Sequence, residues 1–162
     1  MIVLMLKLPR GVKLVLDTTK DLLLACLPYH PFMIKPNLHE LEELFGVNIQ
    51  TKEEMIDYAF QLQEKGARNV LISCGGEGAF LVNEKGQVFT SNTPKGMLIN
   101  SVGAGDSMLA GFMAKFIETN DYRMSLKQGA ASGSATAFSV GIATRELIEE
   151  LIPQIEITEI SR

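Results

Sequence analysis

Apolar residues along the chain form short continuous runs and repeats with helical spacing. The runs at residues 12–16, 32–34 and 69–73 predict buried strands, because strands of a parallel sheet are covered on both faces. Residues 79–82 and 87–90 are further strand-like runs, separated by the polar segment Asn-Glu-Lys-Gly. That arrangement predicts a hairpin and therefore a small antiparallel part of the sheet.

Apolar residues spaced three and four apart predict amphipathic helices. The predicted helices cover residues 21–27, 38–45, 51–65, about 105–117, about 123–138 and about 144–151. Thr51 and Glu54 have the spacing of a capping box, and Gly46 marks a helix end. Strands that alternate with helices indicate an α/β fold with a mostly parallel sheet, and the alternation at residues 155–160 adds an edge strand.

Composition narrows the class of protein. The 162 residues are 46% hydrophobic, which predicts one domain spanning residues 1–162. The net charge of -4 comes without a basic block, so we expect no nucleic-acid partner. The apolar run at residues 1–9 is too short to cross a bilayer and predicts a strand or an atypical terminus, with no membrane partner. Cys26 and Cys74 lie far apart without a CxxC motif, which favours the reducing cytoplasm.

The segment Asn-Ser-Val-Gly-Ala-Gly-Asp-Ser at residues 100–107 carries the clearest chemical signal, because an apolar helix follows it. Gly103 and Gly105 allow a tight turn, and the helix adds free N–H groups and the positive end of its dipole. Together they predict an anion site. Asp106 at its mouth can accept the proton of an attacking hydroxyl, although Asp106 could instead be only an N-cap. Neither GxxxxGK[ST] nor GxGxxG occurs, which disfavours Walker and dinucleotide-binding sites.

Three other segments allow a structural interpretation beside a functional one. Asn37 and Glu40 have the spacing of an N-cap and its capping-box partner. The glycines at residues 75–78 could form an ordinary turn between strands. The small residues at 129–135 would permit close approach either to another helix or to a ligand.

Four segments resemble the PfkB, or ribokinase-like, carbohydrate kinases. Residues 100–113 (NSVGAGDSMLAGFM) are similar to the C-terminal signature of that family, and residues 34–40 (IKPNLHE), 70–79 (VLISCGGEGA) and 128–138 (QGAASGSATAF) resemble further motifs in the same order. The resemblance covers residues 11–160. It implies a ribokinase-like three-layer α/β/α fold with a mostly parallel sheet, truncated at its N-terminal side and lacking the lid.

The resemblance also implies a role for individual residues. Asp106 would be the catalytic base, and Gly103, Ala104 and Gly105 would form the anion hole. Glu40 would hold Mg²⁺, through water. The residues implied to bind ATP are Lys35, Asn37, Ser73, Gly75, Gly76, Glu77, Gly78, Gly105 and Ser132. A monovalent cation is a further cofactor that the family allows.

Within the family, Pro94-Lys95-Gly96 and Ala135-Thr136-Ala137-Phe138 look most like bacterial 1-phosphofructokinases. The implied reaction converts ATP and fructose 1-phosphate into ADP and fructose 1,6-bisphosphate, with tagatose-6-phosphate kinase as the alternative. Family members are about twice as long, and the half that supplies the sugar site, lid and homodimer interface has no counterpart here. A catalytically silent nucleotide-binding fragment is therefore a second hypothesis.

Overall fold

The computed structural model describes residues 11–18 and 20–161. These residues form two compact units. The first contains the described residues up to Ile72 together with Leu81–Gln87, and the second contains Ser73–Phe80 and the described residues from Val88 onward. The strand or atypical terminus expected at residues 1–9 lies outside the described residues.

The first unit contains parallel strands. These are β1 (Val15–Leu16), β2 (Met33–Ile34) and β3 (Asn69–Ser73), whose last residue, Ser73, belongs to the second unit. β3 has the bounds predicted from its apolar run. β1 pairs with β2, and β2 pairs with β3, both in parallel. Only the end of the predicted run at residues 12–16 forms a strand, and Val12 before it is 52% exposed.

The helices of this unit begin and end where local signals predict. They are α1 (Lys20–Cys26), α2 (Leu38–Phe45) and α3 (Lys52–Glu64). A short 3₁₀ turn that contains Pro28 follows α1, since proline cannot continue the hydrogen-bond ladder. Gly46 ends α2 in a left-handed conformation, as predicted.

The buried face of α3 differs in one position from the face that the spacing predicts. Met55, Ala59 and Leu62 are buried as expected, but Ile56 replaces Tyr58 in the core. Tyr58 is half-buried and its ring packs against Phe45, with 4.6 Å between the ring centroids. An aromatic side chain with a polar end thus lies at the boundary, where its hydroxyl stays close to water.

The remaining strands are β4 (Ala79–Val82), β5 (Val88–Ser91) and β6 (Ile157–Ile160). β5 and β6 pair antiparallel. The strand order of the six-stranded sheet is β1-β2-β3-β4-β5-β6, so β6 is the edge strand that the alternating pattern predicts. The expected α/β class with parallel strand pairs is confirmed. β4 and β5, predicted to form a hairpin, are neighbours in the sheet.

The helices of the second unit are α4 (Ala104–Thr119), α5 (Tyr122–Ala137) and α6 (Arg145–Leu151). Asp121 caps α5 by accepting a hydrogen bond from the N–H of Met124. Part of the core lies between α5, α6 and the chain that follows α6. It consists of Ala130, Ala131, Ala135, Leu151 and Ile155. None of the helices among the described residues is long and apolar enough to pass through a lipid bilayer.

α4 and α5 pack at backbone-contact distance. A Cβ atom on Gly129 would lie 2.8 Å from the carbonyl oxygen of Met108, and a Cβ on Gly133 would lie 3.0 Å from that of Ala104. On the facing helix, a Cβ on Gly111 would lie 2.3 Å from the Oγ of Ser132. The small residues of α5 therefore serve helix packing, which was one of the two interpretations that the sequence allows.

Gly78 joins the loop after β3 to β4 at a point with no room for a side chain. Its φ is +92° and ψ is -141°, and a Cβ there would lie 1.9 Å from the carbonyl oxygen of Ser91. We predict that Gly78→Ala lowers the free energy of unfolding by at least about 2 kcal/mol, because the backbone is strained and β5 must shift. Denaturant titration measures this effect.

Gly76→Ala is the matched control in the same loop. No atom lies within 4 Å of the position of its Cβ. We expect a change within about 0.5 kcal/mol, the usual range for an exposed site. Equal losses of stability in the two variants would contradict the importance of the contact between Gly78 and Ser91.

Candidate active site

The turn before α4 carries Asp106. Gly103 is the N-cap residue, with φ +79° and ψ -4°, a left-handed conformation that glycine adopts without strain. α4 begins at Ala104, so Asp106 lies in the first helical turn and is exposed. The alternative in which Asp106 serves as the N-cap is therefore wrong. The helix also begins slightly earlier than predicted, because the left-handed Gly103 ends the turn.

The N–H groups of this turn are not equivalent. The N–H of Ala104 donates to the carbonyl oxygen of Ser101 at 3.2 Å, and that of Ser107 donates to Gly103 at 2.9 Å. Within the described part of the chain, the N–H groups of Gly103, Gly105 and Asp106 have no acceptor. The donors available to an anion are thus those of Gly103, Gly105 and Asp106, whereas the N–H of Ala104 is already used within the turn.

Asn100 fixes the chain that enters the turn. Its Oδ1 accepts a hydrogen bond from the N–H of Val102 at 3.0 Å, and its Nδ2 donates to the carbonyl oxygen of Val140 at 3.4 Å. The backbone N–H of Asn100 donates to Ala137 at 3.1 Å. Both the side chain and the backbone of Asn100 therefore attach the turn to the C-terminal end of α5.

The glycine loop after β3 forms a short 3₁₀ turn, Gly75–Glu77. Ser73 is half-buried at the end of β3, while Gly75, Gly76 and Glu77 are exposed. The N–H of Glu77 donates to Cys74 at 3.0 Å. Among the residues described, the N–H groups of Gly75 and Gly76 have no acceptor and remain available to a ligand.

Gly78, which closes this loop, has a structural task. It is buried, and its N–H donates to the carbonyl oxygen of Gly75 at 3.2 Å. Its carbonyl oxygen accepts from Cys74 at 2.9 Å. This loop therefore both forms the turn between β3 and β4 and exposes the N–H donors of Gly75 and Gly76.

Lys35 and Asp17 form an ion pair in the first unit. Lys35 Nζ lies 3.4 Å from Asp17 Oδ2, and the lysine side chain is only 6% exposed against 34% for the aspartate. Each residue follows the end of a strand, β1 for Asp17 and β2 for Lys35. The sequence prediction included Lys35 but missed Asp17, although carboxyl ends of adjacent parallel strands meet at one sheet edge and are frequent ligand sites.

Asn37 and Glu40 form a complete capping box at the start of α2. The N–H of Glu40 donates to Asn37 Oδ1 at 2.8 Å, and the N–H of Asn37 donates to Glu40 Oε2 at 2.8 Å. Both residues are half-buried. The capping interpretation is confirmed, and it uses only one of the two carboxylate oxygens of Glu40.

Ser132 differs in setting from the other predicted nucleotide contacts. It is 4% exposed, and it faces Gly111 across the contact between α4 and α5. The predicted set is thus distributed between the units, with Lys35, Asn37 and Glu40 in the first and Ser73, Gly75–Gly78, Gly103–Asp106 and Ser132 in the second. The described residues contain no group of three or more His, Cys, Asp and Glu side chains arranged for a metal ion.

Comparison with known proteins identifies the family. Residues 5–148 match the profile described as "pfkB family carbohydrate kinase". The chain belongs to the PfkB family. The expected family is confirmed. The expected class of enzyme is confirmed with it, because the carbohydrate kinases of this family are phosphotransferases.

Curated relatives carry the names of sugar-phosphate kinases. The chain is 41% identical over 151 residues to a 1-phosphofructokinase of Bacillus subtilis, an alignment that covers 93% of this chain and 50% of the relative. It is 37% identical to a D-tagatose-1-phosphate kinase of Bacillus licheniformis, which covers 91% of this chain and 49% of the relative. The chain therefore spans about half the length of the curated relatives it matches.

Solved structures confirm the fold. A Staphylococcus aureus protein that is provisionally named a phosphofructokinase superposes with a TM-score of 0.88 at 38% identity, over 93% of this chain and 49% of that one. Arabidopsis thaliana ribokinase superposes with a TM-score of 0.69 at 21% identity, over 89% of this chain and 46% of that one, which shows the fold alone. The predicted ribokinase-like α/β/α fold is confirmed.

The two capping boxes of the chain allow a matched test of Asn37. Asn37 and Thr51 make the same reciprocal bonds at the starts of α2 and α3. We predict that Asn37→Ala and Thr51→Ala each cost about 1 kcal/mol of stability, as expected for a lost N-cap. Only Asn37→Ala should also weaken MgATP binding, measured by calorimetry. Equal MgATP affinity in the two variants would show that Asn37 serves only as the N-cap of α2.

Proposed function

We propose that this chain is the nucleotide-binding and phosphoryl-transfer half of a kinase that phosphorylates fructose 1-phosphate with ATP. The exposed carboxylate of Asp106, directly after a left-handed glycine turn, is the observation on which the proposal depends. Relatives at 41% and 36% identity that are named 1-phosphofructokinase support this substrate. The relative named D-tagatose-1-phosphate kinase supports tagatose 1-phosphate as the alternative substrate, in place of the tagatose 6-phosphate expected from the sequence.

The first turn of α4 suits the charge that develops during phosphoryl transfer. The transferred group spreads negative charge over its equatorial oxygens, and fixed donors stabilise that charge better than mobile water does. The N–H groups of Gly103, Gly105 and Asp106 and the positive end of the dipole of α4 provide such donors. The anion hole proposed here therefore includes the N–H of Asp106 and omits that of Ala104.

Asp106 is proposed as the base that accepts the proton of the sugar hydroxyl. Because α4 is capped by Gly103, the carboxylate is not occupied in closing the helix. It is exposed and can meet an incoming alcohol, and its charge is compatible with the adjacent helix N-terminus. The sugar oxygen then forms a bond to the γ-phosphorus, the bond to the β-γ bridging oxygen breaks, and ADP leaves.

The proposed nucleotide contacts combine backbone donors and cations. Gly75 and Gly76 offer N–H groups to phosphate oxygens. The Lys35 ammonium at the end of β2 is the proposed cationic contact, and its charge is shared with its ion-pair partner Asp17. Ser73, Glu77 and Ser132 stay in the proposed set for the ribose and base. The capping box occupies Glu40 Oε2 and leaves Oε1 without a hydrogen bond among the described residues, which fits a contact to a hydrated cation. Bound Mg²⁺ would neutralise phosphate charge.

A catalytically silent nucleotide-binding fragment is the second candidate function. The observation that favours it is length, because the chain covers only 49% of the Staphylococcus aureus structure that it matches. A site without its covering segments admits water, and water weakens electrostatic stabilisation of a transition state.

The family suggests two further proposals. The complete enzyme would form a homodimer, and it would require a monovalent cation.

We predict that MgATP raises the melting temperature of the chain, because a ligand that binds only the folded state stabilises it. Differential scanning fluorimetry with MgATP, MgADP and MgAMP measures the shift. A coupled assay with ATP, Mg²⁺ and fructose 1-phosphate then separates the two functions. Turnover supports the kinase, whereas stabilisation without turnover supports the silent fragment. Absence of any shift with the three nucleotides would contradict both.

The role of Asp106 is tested in the form of the protein that turns over fructose 1-phosphate. We predict that Asp106→Asn lowers kcat by about 100- to 10,000-fold, the range expected when a general base is lost, and changes MgATP affinity little. Glu118→Gln is the control, since Glu118 lies in the last turn of α4 and pairs with Lys115 on the surface. Full activity of Asp106→Asn would remove the aspartate from the mechanism.

A further inference from the structure

Thr136, near the end of α5, bonds to one end of the turn that presents Asp106 and lies near the other. Thr136 is 1% exposed, and its Oγ1 donates a hydrogen bond to Ser107 Oγ at 2.9 Å. Its methyl carbon lies 4.0 Å from the position that a Cβ on Gly103 would occupy. One buried side chain thus bonds to the residue that follows Asp106 and lies close to Gly103, the N-cap of α4.

The hydroxyl of Thr136 also bonds to a third group. The backbone N–H of Ala143 donates to Thr136 Oγ1 at 3.2 Å. An amide can only donate, so the hydroxyl of Thr136 accepts from Ala143, and its own hydrogen is available for the bond to Ser107. A buried hydroxyl with both bonds made favours one arrangement of its partners.

We propose that Thr136 is a positioning residue, which holds the stretch from Gly103 to Ser107 in the geometry that receives the terminal phosphate of ATP. This inference rests on the proposed function. The hydrogen bond ties Ser107 to α5, and the methyl group occupies the space next to the left-handed Gly103. Asp106 and the free N–H of Gly105 lie between Gly103 and Ser107 in the chain, so their directions depend on the positions of those two residues.

Hydrogen exchange in the ligand-free chain tests the support of the turn. The N–H groups of Ala104 and Ser107 are hydrogen-bonded within the turn and report on its opening. Thr136→Val keeps the shape of the side chain and removes the hydroxyl. We expect it to accelerate exchange at these two amides about tenfold relative to the amides in the middle of α4, because the loss of a buried hydrogen bond promotes local opening.

Two further variants distinguish the effect of losing the Thr136 hydroxyl from a general destabilisation of α5. Thr136→Ser keeps the donor and should stay within about threefold of the wild-type exchange rates. Ser139→Ala removes a hydroxyl at the same helix end that bonds only to the carbonyl oxygen of Ala135, and it should leave the turn unchanged. If Thr136→Val is too unstable to purify, Ser107→Ala removes the acceptor and should accelerate exchange at Ala104 in the same way.

Nucleotide binding gives the second readout. We expect Thr136→Val to reduce the preference for MgATP over MgADP about tenfold in isothermal titration calorimetry, with MgADP affinity within twofold of wild type. A purely structural role would lower the melting temperature and leave the ratio of the two affinities unchanged, which would overturn the inference. Unchanged exchange at Ala104 and Ser107 would overturn it as well. Failure of the wild-type chain to bind MgATP would instead contradict the proposed function.

Discussion

The close contact between α4 and α5 is the constraint on which the candidate site depends. Gly111, Gly129 and Gly133 lack side chains where any Cβ would lie within about 3 Å of the facing helix. At this distance, shifts of one helix are transmitted to the other, since close-packed interiors resist small displacements. The first turn of α4 is therefore held by packing along the length of the helix as well as by its own hydrogen bonds. A charged transition state benefits from such fixed donors, because they need no reorganisation during the reaction.

Local patterns were sufficient to predict most of the fold. The strand Asn69–Ser73 follows from a continuous apolar run, and the capping boxes at Asn37 and Thr51 follow from residue types three positions apart. Each of these signals lies within a few residues of the structure it predicts. The start of α4 was harder, because glycine is compatible with both turn and helix, and only the left-handed φ of Gly103 decides that Asp106 is not the cap.

The parts of the site that sequence reasoning missed depend on contacts between distant residues. Thr136 and Ser107 are 29 residues apart, and nothing in the spacing of either residue indicates their hydrogen bond. Asp17 was within reach of prediction, because it and Lys35 each follow a parallel strand. Other residues have combined roles that a motif cannot separate. Gly78 closes a turn that exposes donors, and Glu40 caps a helix with one oxygen while the other stays available.

The position of Asp106 in α4 has a consequence for how this protein can evolve. Since Gly103 closes the helix, the aspartate contributes no cap, and its side chain is exposed. The proposed base, unlike Asn37 and Glu40, therefore has no structural role in the fold. A lineage could lose the carboxylate in a single substitution and keep a well-folded descendant. Under the proposed function, such a descendant would still bind phosphate groups and could be inherited as a sensor or scaffold, with the residue at position 106 as its difference from an enzyme.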